Sequence, residues 1–301
     1  MNTPVRKSIG VIGLGAMGMG VALSLLREGF EVHVCDLRSE AVQKVVDTGG
    51  IRAESPAALA PLVDVLITVV VNAEQTESVL FGENGAVSQM KPGSVVITSA
   101  TVSPDFARVL GQRLASAGLL MIDGPISGGA AKAMSGEMTM MSSGAPEAYA
   151  KCEDVLSAIT SKVYRLGNEA GPGSTMKMVN QLLAGVHIAA AGEAMALAIR
   201  AGADPAQVYE VITHSAGNSW MFENRVPHIL AADFTPLSAV NIFVKDLGIV
   251  LDYAKKSVFP LPLSAAAHQM YLSASATGHG GEDDSAVIKI FPGIELPGGN
   301  G

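Results

Sequence analysis

The chain has 301 residues, 49% of them hydrophobic and 16% charged, with a formal net charge of −8. That length fits two domains, and a charged share well below the usual ~25% points to large buried surfaces, a subunit contact among them. The acidic balance argues against nucleic acid and anionic membranes as partners.

The opening MNTPVRKSIGVIG shows neither an apolar signal core nor a cleavage site and enters a strand directly. The strand Ser8–Gly13 runs into Gly13-Leu14-Gly15-Ala16-Met17-Gly18, followed by helical character from Met19 to Arg27. G-x-G-x-x-G between a strand and a helix allows a tight turn, close approach of a pyrophosphate and close helix packing. Taken alone the pattern also fits a plain strand-to-helix turn. A second strand, Glu31–Asp36, ends in an acid eighteen residues after Gly18. A carboxylate there accepts from both ribose hydroxyls of NAD and repels the extra phosphate of NADP. Arg38 leaves an opening for NADP, and Asp36 as a helix cap is the simpler alternative. Further strands are expected at Val63–Val71, Ser94–Thr98, Leu119–Asp123, Thr139–Ser142 and Lys162–Leu166, alternating with helices, as in a doubly wound, mostly parallel sheet. Ligand loops then follow the strand ends, which places Val71, Asn72, Thr101 and Asp123 near the cofactor crevice. In Asp123 to Gly136, the turn Ser127-Gly128-Gly129 offers converging amides and a hydroxyl suited to a carboxylate, although Gly-Gly also serves as a simple link.

Gly171 to Ala203 opens with Gly-Pro-Gly and runs about thirty residues of mostly Ala, Leu, Met and Ile, roughly 45 Å of helix. It is expected to be buried on most sides as the wall between two domains, 1–170 and 171–301; no membrane span is expected. Lys177 and Asn180, three apart, share one face of it. Helices are expected at 204–215, 219–231, 237–257, 261–275 and 283–290, interrupted by the Ser215–Trp220 loop, with a loose tail after Phe291. The neighbours Lys245 and Asp246 read by themselves as surface decoration. Cys35 and Cys152 form no motif, consistent with a reduced, cytoplasmic setting, and the six histidines show no metal-ligand spacing, so no metal is expected.

Gly13 to Gly18, Asp123-Gly-Pro-Ile-Ser127-Gly128-Gly129, Gly171 to Asn180 and Lys245-Asp246-Leu247 stand in the order and approximate spacing seen in the β-hydroxyacid dehydrogenases, which the chain resembles over nearly its whole length. The resemblance implies a Rossmann-type doubly wound parallel sheet followed by an all-α substrate and oligomerisation domain, joined by a long interdomain helix. It also implies NAD as cofactor, contacted by Gly13, Leu14, Gly15, Ala16, Met17, Gly18, Asp36, Val71, Asn72, Thr101 and Lys245. Ser127, Gly128 and Gly129 correspond to the loop that holds the substrate carboxylate, and Lys177 to the catalytic lysine. Asn180 orients the substrate, and Asn218 and Ser219 face it. Two positions depart from the family pattern: Ile126 stands where Val is common, and Gln181 where many members have a second Asn, a change expected to touch substrate preference.

Oxidising an alcohol requires a base near neutral pKa, whereas free lysine titrates near ~10.4. A helix N-terminus is worth only ~0.3–1 kcal/mol, while burial lowers an amine by up to ~3–5 units, so desolvation is expected to tune Lys177. The helical half carries only scattered cations (Arg200, Arg225, Lys245, Lys255, Lys256 and Lys289), which favours an unphosphorylated hydroxy acid. Within the family, the 99–104 and 215–220 segments resemble most the branch that oxidises the 2-hydroxyl of L-threonate. Tartronate semialdehyde reduction and 3-hydroxyisobutyrate oxidation are the alternatives. A catalytically inactive, cofactor-bound interaction protein is the rival of another class, and the chain has no spare length for the recognition modules such relatives carry.

Overall fold

The computed structural model describes residues 7–297; MNTPVR at the start and the last four residues of the expected loose tail lie outside them. The chain divides into two compact units, one ending at Lys177 and the other beginning at Met178.

The first unit is an α/β sheet. Strands β1 (Ser8–Ile12), β2 (Glu31–Cys35) and β3 (Ile51–Arg52) alternate with helices α1 (Ala16–Arg27) and α2 (Ser39–Val46). A short α3 (Pro56–Leu59) leads to β4 (Val65–Thr68), and α4 (Ala73–Phe81), β5 (Val95–Thr98), α5 (Pro104–Ser116) and β6 (Leu120–Asp123) follow. These six strands lie parallel in the order β3-β2-β1-β4-β5-β6. The order therefore reverses between β1 and β4, and the crevice at their carboxyl ends is where such sheets bind ligands. Then come β7 (Ile126–Ser127), α6 (Gly129–Ser135), β8 (Met138–Gly144), α7 (Pro146–Ile159), β9 (Thr160–Arg165) and α8 (Pro172–Arg200). β8 runs antiparallel to β6 and β7 and parallel to β9.

The strands are short and rich in Val and Ile because both faces of the sheet are covered. Ile9, Val11, Val65, Ile67, Val95 and Ile97 pack on one side, and Leu66 and Val96 join Leu110 and Leu114 on the other. Each such buried side chain contributes about 1.5–3 kcal/mol. The apolar run Val63–Val71 yields only the four residues of β4, because its last residues leave the sheet and back the loop after β1. The two-residue strands β3 and β7 are too short to show any alternation in the sequence.

The second unit is helical. It comprises α8 from Met178 onward, α9 (Pro205–Thr213), α10 (Trp220–Ala231), α11 (Val240–Lys256), α12 (Pro262–Ala274) and a 3-10 segment, Asp284–Ile290. Side-chain caps start two of these helices: Asp204 accepts from the Ala206 amide at 2.8 Å, and Ser219 from the Phe222 amide at 3.0 Å. Ile188, Phe243, Leu247, Tyr271 and Val287 form one core; Met195, Phe222, Val226, Ile229 and Ile288 form another. Arg225 Nε donates to Asp284 Oδ1 at 2.5 Å inside this unit.

Two expectations change here. α8 is long and apolar enough, by length and composition, to cross a membrane. It buries Ala184, Ile188 and Met195 in protein, yet it exposes Val179, Leu183 and Leu197 rather than being covered on most sides. The tail after Phe291 is not loose throughout: Ile294 and Leu296 pack against the second core, and the Gly293 carbonyl accepts from Arg200 at 3.0 Å.

Candidate active site

The loop after β1 is shaped by backbone contact. A Cβ on Gly13 (φ +91°) would lie 2.5 Å from the Val69 carbonyl oxygen, and one on Gly18 would lie 1.9 Å from that of Gly13. The first and third glycines are thus required by packing. Gly15, which caps α1 with φ −62°, differs: a Cβ there would meet no atom within 4 Å. This is the side on which a pyrophosphate would approach the first turn of α1. A cleft of about 570 Å³ opens there, lined by Leu14, Gly15, Ala16, Arg38 and Lys44 among others.

Asp36 follows β2 beside this cleft and is no helix cap. Its carboxylate accepts from the Leu14 amide at 2.6 Å, the Arg38 amide at 2.8 Å, and Arg38 Nε and Nη2 at 3.1 and 3.2 Å. Burial alone would raise this carboxyl, but the hydrogen bonds from Arg38 and Leu14 outweigh it and hold Asp36 below the usual carboxylate range. An open glycine turn with an ionised acid beside it fits a dinucleotide. Of the other expected cofactor contacts, Asn72 caps α4 by accepting from the Gln75 amide at 2.8 Å. Val71 is exposed and its amide donates to Gln75 at 2.9 Å. Thr101 is half-buried in the loop between β5 and α5.

The Ser-Gly-Gly turn holds φ of +137° at Gly128 and +78° at Gly129, a backbone that only glycine adopts without strain. Ser127 precedes it, paired with Thr139 across β7 and β8. Lys177 lies in the early part of α8, only 8% exposed, and its Nζ donates to the Ile126 carbonyl at 2.9 Å. The fold of the first unit therefore brings the buried amine to the residue preceding Ser127. Asp123 ends β6, at the carboxyl edge where it was expected, and its carboxylate is engaged by the protein. It is buried, and it accepts from the Gly171 amide at 2.9 Å, the Ser174 amide at 2.9 Å and the Ser174 hydroxyl at 2.7 Å. It holds the first turn of the helix that carries Lys177.

In the second unit, Asn180 Nδ2 donates to Gln181 Oε1 at 2.9 Å, and Gln181 Nε2 donates to Asp246 Oδ2 at 2.5 Å. Lys245 Nζ pairs with the other oxygen of Asp246. Asn180 and Lys245 are thereby joined through Gln181, which was expected to touch substrate preference, and Asp246, which was given no role of its own. Asp246 is not surface decoration but 2% exposed. Its place on the buried face of α11 with Phe243, Leu247 and Val250 was readable from helical spacing. Ser219 spends its hydroxyl as the α10 cap, and Asn218 donates to the Thr213 carbonyl at 3.2 Å and to Glu223. Both serve the turn between α9 and α10. Among the described residues, no group of three or more His, Cys, Asp or Glu is placed to hold a metal ion.

Residues 8–167 match the family model for the NAD binding domain of 6-phosphogluconate dehydrogenase, and residues 171–291 match that for the NAD-binding domain of NADP-dependent 3-hydroxyisobutyrate dehydrogenase. L-threonate dehydrogenase of Cupriavidus necator is 70% identical, covering 98% of this chain and 99% of that protein.

The chain belongs to the β-hydroxyacid dehydrogenase family.

L-threonate dehydrogenase of Escherichia coli is 51% identical, covering 99% of each chain. A crystal structure of 3-hydroxyisobutyrate dehydrogenase from Salmonella typhimurium superposes with a TM-score of 0.91 at 51% identity, covering 95% of this chain and 100% of that one. As a β-hydroxyacid dehydrogenase the protein is an NAD-dependent oxidoreductase acting on a hydroxy acid, as the four motifs imply. Its fold is likewise the expected Rossmann-type sheet followed by helices.

Proposed function

We propose that the protein oxidises L-threonate at its 2-hydroxyl to the 2-oxo acid, with Lys177 as general acid/base. The observation that carries this reading is the buried Lys177 amine held at the Ile126 carbonyl, next to Ser127-Gly128-Gly129. Bound NAD supplies the acceptor for the hydride that leaves carbon 2. The Ser127 hydroxyl and the turn's backbone amides receive the substrate carboxylate, which sets the neighbouring hydroxyl toward Lys177. The neutral amine takes the hydroxyl proton as the carbonyl forms, and returns it in the reverse direction. Asn180 orients the hydroxyls, and Thr101 and Lys245 contact the cofactor.

An unphosphorylated substrate is favoured because four cations of the helical half have partners inside it, while Lys255 and Lys256 are exposed at the end of α11. Arg225 pairs with Asp284, Lys245 with Asp246, Lys289 with Glu282, and Arg200 donates to the Gly293 carbonyl. The relatives named L-threonate dehydrogenase support the substrate assignment, from 70% identity downward. We assign residues 1–170 to the cofactor domain and 171–301 to the substrate and oligomerisation domain of a cytoplasmic homo-oligomer, a dimer or tetramer, without nucleic-acid or membrane partners. The exposed stripe Val179, Leu183 and Leu197 on α8 supports a subunit contact.

The test is NADH formation by the purified protein with L-threonate, 3-hydroxyisobutyrate and glycerate, and NADH consumption with tartronate semialdehyde. The highest kcat/KM is expected with L-threonate; a higher value with any other substrate overturns the assignment. Lys177→Ala is expected to lose roughly 10²–10⁴-fold in kcat while still binding NAD, and near-normal turnover would remove the lysine from its role.

A further inference from the structure

We propose that Asp246, acting through Gln181, determines which end of the Asn180 amide faces the substrate. This rests on the reading of Asn180 as the residue that orients the hydroxy acid. The oxygen and nitrogen of a side-chain amide are nearly the same size, so an isolated Asn can present either a donor or an acceptor. A carboxylate, by contrast, only accepts. The Gln181 group facing Asp246 Oδ2 at 2.5 Å must therefore be its NH₂, which turns Oε1 toward Asn180. That oxygen can only accept, so Asn180 must offer Nδ2 to it, as it does at 2.9 Å. Asn180 is left with Oδ1 directed away from Gln181, an acceptor for a hydroxyl of the substrate.

Burial makes the arrangement strict. Gln181 is 8% exposed and Asp246 2% exposed, so solvent cannot take over the carboxylate end of the link, and reversing the Gln181 amide would set two acceptor oxygens against each other. Lys245 Nζ pairs with Asp246 Oδ1, leaving Oδ2 to Gln181. Gln181 spans the link alone, reaching Asn180 with Oε1 and Asp246 with Nε2. Gln181 and Asp246 are positioning residues: neither has to touch the substrate.

The test is a double-mutant cycle. Gln181→Met keeps the volume and removes the link; Asp246→Asn keeps the shape and removes the acceptor-only terminus. Gln181→Met is expected to raise the KM for L-threonate about tenfold with the KM for NAD within about twofold. Asp246→Asn is expected to raise the L-threonate KM several-fold. In the double variant that KM is expected to match Gln181→Met alone, because without the Gln181 amide the Asp246 carboxylate no longer reaches Asn180. A Gln181→Met protein that melts lower but keeps the wild-type KM for L-threonate would make the link a structural staple and overturn the proposal. Additive effects on KM in the double variant would overturn it too, by routing Asp246 through Lys245. Asn180→Ala separates the two levels. If it leaves the L-threonate KM unchanged, the role of Asn180 itself falls. If it raises KM while Gln181→Met does not, only the present proposal falls.

Discussion

Arg38 holds the carboxylate that a cofactor ribose would need. Asp36 accepts from the guanidinium at 3.1 and 3.2 Å, and the Arg38 side chain is itself mostly exposed, so it can swing away when the hydroxyls of the ribose arrive. Hydrogen bonds to a charged group are worth about 1.5–3 kcal/mol, so Asp36→Ala should raise the KM for NAD roughly tenfold or more and relax discrimination against NADP. Arg38→Ala should act in the opposite sense, sharpening the preference for NAD by removing a cation beside the place of the extra phosphate. The ratio of kcat/KM for the two cofactors in each variant checks both statements. Asp36 was legible from its position at the end of a strand after a glycine turn. The clamp was not, because nothing in Asp-Leu-Arg says that the chain will fold back to let residue 38 donate to residue 36.

At the scale of elements, the first turn of α8 depends on Asp123. Removing its carboxylate leaves the Gly171 and Ser174 amides and the Ser174 hydroxyl without their acceptor in a buried place. Unsatisfied buried donors cost about 1–3 kcal/mol each, so with three of them Asp123→Ala should melt at least about 5 °C lower than the parent. Because Lys177 sits one turn further on, kcat should fall as well. Asp123→Asn, which keeps one acceptor oxygen, should show a smaller loss of both. Thermal melts and kcat measured on the two variants together decide it. The long elements of this fold were readable because their patterns repeat: the glycine turn between β1 and α1, the strands of the parallel sheet, and α8 with its Gly-Pro-Gly start. What escaped was short or tertiary. β7 has two residues and gains its meaning only by pairing with β8 and offering the Ile126 carbonyl to Lys177. Asp123 was expected near the cofactor because a strand end is where ligands bind, and the partners its carboxylate holds lie about fifty positions further along the chain.

At the scale of the whole molecule, the buried cluster of Arg225, Asp283 and Asp284 is a charge group whose titration should be visible. Burial pushes the Asp284 carboxyl up to about 6 despite the pull of Arg225. A carboxyl whose folded pKa lies above its unfolded value of about 3.9 favours folding most in its protonated form. Its contribution is therefore complete below about pH 4 and is lost as the pH rises through about 6. Asp36 and Glu282, both held low, work in the opposite direction, their contributions disappearing on acidification. Comparing Asp284→Asn with the parent cancels those common terms. The stability difference between the two should narrow by roughly 2–3 kcal/mol between about pH 4 and pH 7. Denaturant unfolding at several pH values measures it, and a difference that does not change with pH would show that Asp284 stays ionised throughout.

Gly15 has a consequence that reaches beyond its own loop. Its backbone angles suit any residue and no neighbouring atom crowds the missing methyl. Packing therefore places no demand on this position; within the polypeptide only the N-cap of α1 favours glycine over alanine, and a close selection against any side chain must come from a ligand. Apo Gly15→Ala should fold like the parent and melt within a few degrees of it, a lost cap offset by a stiffer unfolded chain, and should reveal its main defect when a nucleotide is titrated in. A single methyl group would then act as a gauge of how closely the ligand's phosphates graze the chain.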